Sequence, residues 1–390
     1  MTPGVRNRLV YSGFSSDKGC KRRLPLNQYL RHLAFSALGA AKGSRRPAPP
    51  PLNARRSFFL LQYSPALGTA VHATPLIPAL RAAVPAAEIV VCASGFDFEI
   101  LRNNPGVDRL VSTPDPTRQF WPAVRAIRAA LPLAGPFATL ASTSNPRIPV
   151  ALAAALAGAR NFVGFTLAPE LARAPVVFDD SLSQIANNLR LIAALGHPPS
   201  AHFEPQVFFS EEDLAYARTL IARFDDPTRP LAVLVTQTSP TQRKSWRPER
   251  FAAVARTLIA QHDANILLVG AAAERPMVEE HAQRIGNRAR NLAGETSIPQ
   301  LAALLSLCTV GLTVDTGILH VGRAVGLSMV VVAPAWSPPH EWLPLDNPRY
   351  IVLKNLDLPK ATPDYIIDEV SVDEVIEALD RLLAGDTGPR

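Results

Sequence analysis

Cysteine is scarce in this chain of 390 residues: Cys20, Cys92 and Cys308 stand far apart, with no CxxC pair among them. That spacing excludes a zinc knuckle and a disulfide framework, and it fits a reducing cytoplasm. Long apolar runs are missing too. The longest nearly unbroken one, around Pro149 to Ala159, is alanine-rich and well short of the roughly 18 residues that suggest a membrane span. Several catalytic signatures are also absent. There is no GxGxxG after a strand, no GxxxxGK[ST], no HExxH and no GxSxG, which argues against a dinucleotide dehydrogenase, a P-loop kinase, a zincin and an α/β-hydrolase.

A basic body is lacking as well, although the net charge is +7. Of 40 Lys/Arg and 33 Asp/Glu, residues 1–56 hold twelve and one, so the remaining 334 residues hold 28 and 32 and are net acidic by four. A nucleic-acid binder would need its positive field on the folded body, so nucleic acid is not an expected partner. The basic leader carries Leu24, Leu26, Tyr29, Leu30, Leu33, Phe35 and Leu38, then Arg45-Arg46-Pro47 and Pro49-Pro50-Pro51. It reads as a short amphipathic helix followed by a stiff linker. Two readings stand: peripheral attachment to the anionic inner face of the cytoplasmic membrane, or a disordered extension, including one from a start codon placed too early. A cleaved secretory signal fits poorly, for want of a compact apolar region with a small-residue cleavage site.

What is abundant is proline, at 37 residues, nearly double the usual share of about 5%. From Ser57 onward, strand-like and helix-like segments alternate. Ser57–Gln62, Glu88–Cys92, Val107–Val111 and Phe137–Ala141 read as strands, and Pro75–Val84, Phe96–Asn103, Trp121–Leu131 and Ile148–Ala157 as helices. After a polar, proline-containing stretch from about Gly196 to Pro205 the rhythm restarts. Leu231–Thr236, Asn265–Val269, Val310–Val314 and Met329–Val332 are predicted strands; the helices begin at Pro248, Pro276, Ser297 and Ile318. The pattern predicts two α/β domains with parallel sheets: a leader and linker over 1–56, domains over 57–205 and 206–360, and a C-terminal helix and tail over 361–390.

Three segments of the second domain carry chemistry-bearing residues where strands should end, the edge at which open α/β sheets bind ligands. In Thr313-Val-Asp315-Thr316-Gly317-Ile-Leu-His320, Asp315 and Thr316 can cap the following helix, and Gly317 permits close backbone approach. The helix start attracts a phosphate, with His320 one turn inside. An ordinary N-cap with a packed histidine is the bland alternative. In Thr236-Gln-Thr238-Ser239-Pro-Thr-Gln-Arg243-Lys244-Ser-Trp246, Lys244 can neutralise a diphosphate whose oxygens Thr238 and Ser239 hydrogen-bond; the alternative is a solvated basic loop anchored by Trp246. After the next strand, Glu274 suits ribose hydroxyls or caps its own helix. Each is weak alone; their convergence on one edge is the stronger signal.

These segments resemble glycosyltransferase family 9, the ADP-heptose:lipopolysaccharide heptosyltransferases. The likeness rests on Lys244-Ser-Trp246-Arg-Pro248-Glu-Arg-Phe251, Gly270 to Glu274, Asp315-Thr316-Gly317 with His320, Gly326-Leu-Ser-Met-Val-Val-Val and Trp342-Leu-Pro344. Leu67-Gly68, Thr74-Pro75-Leu76-Ile77 and Asn104-Pro105-Gly-Val107-Asp108 extend it thinly into the first half. The resemblance implies a GT-B fold, two Rossmann-like domains facing each other across a cleft, with acceptor on the N-terminal domain and nucleotide-sugar on the C-terminal one. It implies an enzyme that inverts the anomeric carbon and needs no metal or other cofactor. The implied acceptor is a lipopolysaccharide-type or other cell-envelope glycan or lipid. Carried over by residue, Lys244, Asp315, Thr316, Gly317 and His320 hold the diphosphate, with Thr238 and Ser239 beside it and Glu274 on the ribose. Lys244 also assists departure of the leaving group. One departure stands out. The family's glycine-aspartate pair, whose acid is thought to deprotonate the acceptor, is Gly68-Thr69 here. A threonine hydroxyl is no general base near neutral pH. His72, Asp97 and Glu99 lie close in sequence as substitutes, and a nucleotide-sugar or glycan binder without turnover is the alternative function.

Overall fold

The computed structural model describes residues 57–385 apart from 133–136, 144, 200, 238–243 and 363, together with Ala34, Ser36 and Ala37. Apart from Ala34, Ser36 and Ala37, which are helical, the amphipathic helix and linker expected in the leader lie outside the described residues, as do the expected phosphate ligands Thr238 and Ser239. Among the described residues, no helix is long and apolar enough to cross a membrane.

Continuous apolar runs form the strands, as burial on both faces requires. In the first sheet these are β1 (Ser57–Gln62), β2 (Glu88–Ala93), β3 (Arg109–Ser112), β4 (Phe137–Ala141), β5 (Phe162–Gly164) and β6 (Ala174–Pro175), in the order β3-β2-β1-β4-β5-β6. All neighbours pair in parallel. Its helices are α1 (Leu67–Ala73), α2 (Leu76–Ala83), α3 (Phe96–Leu101), α4 (Phe120–Ala130), α5 (Ile148–Ala157) and α6 (Gln184–Ala193) in chain order. Every residue of β1 and β4 is buried, and Phe59, Leu61, Val90, Cys92, Val124, Ile127 and Val150 belong to one core.

Helix α7 (Glu211–Ile221) leads into the second sheet, of order β12-β11-β10-β7-β8-β9 and again wholly parallel. Its strands are β7 (Leu231–Val235), β8 (Asn265–Leu268), β9 (Ala289–Asn291), β10 (Val310–Val314), β11 (Met329–Val332) and β12 (Tyr350–Leu353). The intervening helices are α8 (Pro248–His262), α9 (Arg275–Ile285), α10 (Ile298–Ser306), α11 (Gly317–Ala324) and α12 (Pro339–Trp342). Prolines at the start of α8, α9 and α10 are pre-set for the first helical turn, where a missing N–H costs nothing.

Both sheets run outward from a central strand, first to one side and then to the other. The chain therefore reverses direction across the sheet between β1 and β4, and again between β7 and β10. Loops that follow neighbouring strands diverge there and leave a crevice at the carboxyl edge. Contacts divide the chain into two compact units. Ala66–His72 and Glu99–Asn104 group with Glu204–Arg390 in the second, so α1 packs as part of the unit that holds the second sheet.

The C-terminal helix α13 (Val372–Leu383) is part of that second core. Val375, Ala378, Leu379 and Leu382, spaced for one helical face, are buried beside Trp246, Phe251, Val254 and Leu258. Ser371 and Glu374 close its N-terminus as a capping box. Leu379 is wholly buried, so Leu379→Ala should lower the free energy of unfolding by about 2–5 kcal/mol. Chemical denaturation measures this, and a change under 0.5 kcal/mol would show that α13 is not an integral part of the core.

Candidate active site

Lys244 is fixed from its C-terminal side. The indole of Trp246, 2% exposed, donates from Nε1 to the Val370 carbonyl at 3.0 Å and packs edge-on against Phe251. The Ile367 N–H donates to the Ser245 carbonyl at 2.9 Å. The chain between β7 and α8 thus leaves its core anchor with the lysine pointing back over the sheet edge. Its Nζ lies 2.5 Å from Oδ2 of Asp315, the residue that follows β10, and 5.7 Å from the Trp336 ring centroid. Both side chains are largely out of water, at 12% and 5% exposure. This pair sits at the switch point between β7 and β10, where the topology provides the crevice.

Asp315 and Thr316 can both cap α11 by their positions in the sequence; the Asp315 carboxylate is paired with Lys244. Thr316 occupies the N-cap position with extended backbone, yet its side chain makes no capping bond. The reason is electrostatic: a buried ammonium attracts the carboxylate more strongly than a helix N–H does. Gly317 opens the helix. A Cβ there would lie 2.9 Å from Cβ of Leu67, so its lack of a side chain seats α1 against α11.

His320, one turn inside α11, is 3% exposed. Its Nδ1 is 3.0 Å from Nε2 of His72 on α1; the rings meet edge to face at 4.3 Å, and Trp342 lies 5.3 Å from His72 and 6.2 Å from His320. A Cβ on residue 68 would stand 2.6 Å from Cδ2 of His320, so Gly68 is what lets this pair form. Burial lowers the His320 pKa to about 4, with Asp315 opposing the shift and Arg323 and Lys244 adding to it. Burial, then His320 and Arg323, hold His72 well below its usual range. Both imidazoles are neutral at pH 7.

Glu274 closes the turn Ala272–Glu274 after β8, its Oε2 accepting the Ala271 N–H at 2.7 Å. A Cβ on Gly270 would lie 2.8 Å from that oxygen. Glu274, Lys244 and Asp315 follow three adjacent strands, β8, β7 and β10, and so share one sheet edge.

At position 69 the threonine hydroxyl donates to the Ala66 carbonyl at 2.7 Å. Of its proposed substitutes, His72 is buried in the histidine pair, and Glu99 lies 3.7 Å from Arg102. Asp97, in the first unit, is 1% exposed and accepts from Ser64 N and Oγ at 2.5 and 2.9 Å; burial raises its pKa to about 6 against those bonds. The His72–His320 contact escapes sequence reasoning, since 248 positions separate the partners. The glycine at 68 hints at close packing without naming its neighbour.

Two wholly parallel α/β sheets, the second with a cation, a neutral histidine and a side-chain-free helix start at its switch point, define a protein of the GT-B fold. Residues 171–361, just under half of the chain, match the model of glycosyltransferase family 9 (heptosyltransferase). The chain is 32% identical over 104 residues to lipooligosaccharide heptosyltransferase 2 of Haemophilus influenzae, covering 25% of this chain and 30% of the relative. It is 28% identical over 151 residues to the lipopolysaccharide core heptosyltransferase OpsX of the same organism, covering 38% and 42%. These alignments span under half of either relative. Among solved structures, a family 9 glycosyl transferase from Veillonella parvula superposes with a TM-score of 0.74 at 19% identity, over 86% of this chain and 99% of that one. The E. coli ADP-heptose lps heptosyltransferase II gives 0.69 at 21%, over 84% and 99%.

The histidine pair carries a sign for pH. The unfolded chain binds protons on both imidazoles near pH 6.5, while the folded chain does so only at lower pH. Stability from this source is therefore complete above about 6.5 and falls as pH drops toward 4, by at most about 1.4 kcal/mol per pH unit for each histidine. Melting curves over that window should show a shallower acid loss for His320→Gln than for the parent. Equal slopes would mean that the rings are not held neutral.

Proposed function

We propose that the chain is a glycosyltransferase that moves a heptose or related sugar from a nucleoside-diphosphate donor to a hydroxyl of a cell-envelope glycan or lipid, inverting the anomeric carbon. The observation that carries this reading is the Lys244–Asp315 pair beside the uncapped start of α11, at the crevice between β7 and β10. The names of the relatives, both heptosyltransferases, supply the sugar and the class of acceptor.

The roles follow from charge. As the bond from C1 to the diphosphate breaks, negative charge grows on the leaving oxygen. The Lys244 ammonium and the N–H groups opening α11 stabilise it there more than in the bound donor. An ionised carboxylate accepts but does not donate hydrogen bonds and repels phosphate. Asp315 therefore acts by holding Lys244 in place. Glu274 keeps one carboxylate oxygen on its own turn and offers the other to a ribose hydroxyl.

A second reading, binding of a nucleotide-sugar without turnover, is favoured by Thr69, whose hydroxyl is turned to a backbone carbonyl and is too weakly basic to take the acceptor proton. Thr69→Asp separates the two: transfer only in the variant would establish the binder, whereas transfer by the parent protein would dismiss it.

For the transferase, Lys244→Ala, assayed at saturating donor, should lower kcat by about 10²-fold or more while raising the donor KM less. Near-parental values of both constants would place the active site elsewhere.

A further inference from the structure

The His72–His320 contact has a chemical direction that neither residue alone would have. Both rings are neutral at pH 7, so one proton lies between His72 Nε2 and His320 Nδ1. Which ring owns it decides what His320 offers at its other nitrogen. If His320 carried the proton on Nδ1, its Nε2 would present a lone pair, which repels an anion. If His72 carries it, Nε2 of His320 bears an N–H. Helical side chains lean toward the N-terminus of their helix, which directs His320 back over the turn at Thr316 and Gly317. Gly68 packs against the Cδ2–Nε2 edge of the ring, where a Cβ would stand 2.6 and 3.1 Å from those atoms, so a side chain at position 68 would crowd the nitrogen that faces the ligand.

We propose that His72 is a positioning residue that sets the tautomer of His320: its Nε2–H donates to His320 Nδ1, leaving the His320 proton on Nε2 to donate to a diphosphate oxygen at the start of α11. Trp342 packs near both rings and limits their rotation. The charged groups that bear on the pair are Arg323, Asp315 and Lys244; Arg323 is itself paired with Glu204 at 2.8 Å. The ligand half of this inference rests on the transferase reading above; the tautomer half does not.

The test is nitrogen-15 spectroscopy of the full chain labelled at its eight histidines, with the His320 signals assigned through His320→Gln. Nitrogen shifts at pH 7.5 distinguish Nδ1–H from Nε2–H rings. His320 should be the Nε2–H form in the parent protein and in His72→Gln, whose amide can still donate to Nδ1. It should become a mixture of forms in His72→Phe. An Nδ1–H ring in the parent protein overturns the proposal without recourse to any variant, as does an unchanged Nε2–H ring in folded His72→Phe. In a second arm, ADP binding should weaken roughly tenfold in His72→Phe, the scale of one hydrogen bond to a charged group, and recover in His72→Gln. Equal ADP affinity in all three proteins would defeat the ligand half. An absence of ADP binding by the parent, with the Nε2–H form still observed, would instead count against the donor assignment alone.

Discussion

An ammonium and a carboxylate 2.5 Å apart, nearly out of water, join the ends of two adjacent parallel strands at the second sheet's switch point. Neither charge is tolerable there alone, because leaving one ion buried without its partner typically costs about 3–5 kcal/mol. The surrounding structure serves that pair. Trp246 and its bond to Val370 anchor the chain beside Lys244, and β10 delivers Asp315 in register with β7 through Thr313 and Val235. With Asp315 committed to the lysine and Thr316 making no side-chain cap, the opening N–H groups of α11 are not satisfied by those two side chains. Positive charge and helix dipole therefore face the same crevice, an arrangement suited to a diphosphate.

A second constraint comes from small residues. Gly317 admits Leu67, and Gly68 admits His320, so α1 and α11 approach each other closely on both sides of one contact. The segment bearing Thr69 and His72 is thereby tied to the helix proposed to hold the donor. Replacement of either glycine would push against a neighbour at under 3.0 Å. This proximity accounts for a residue from the first half of the chain shaping the chemistry of His320.

The strands were legible because burial on both faces leaves nearly unbroken apolar runs: SFFLLQ, LAVLV and MVVV stand out from their flanks. Prolines marked the helix starts at 248 and 276. Helices α6 and α7 were harder to see, since their polar faces outweigh a narrow apolar stripe, although the Ser210 and Asp213 capping box gives α7 a local signature. Strands β5, β6 and β9 are two or three residues long and show no period. Within the site, the cation, the acid and the helix start could be read from their places after strands. Their partners could not: by sequence the Asp315 side chain is equally placed to cap α11 or to pair with a cation, and nothing local links His72 to His320. Glu274 remains compatible with both of its sequence readings, since capping its own turn engages only one carboxylate oxygen.

On the reading proposed above, the start of α11, with Lys244, binds a nucleoside diphosphate. Backbone amide exchange, followed by mass spectrometry with and without ADP, UDP and GDP, tests it at the atoms concerned. At least one of these nucleotides should slow exchange over residues 316–320 and around 244–246. Protection confined to other segments, or no change with any of the three at millimolar concentration, would contradict it.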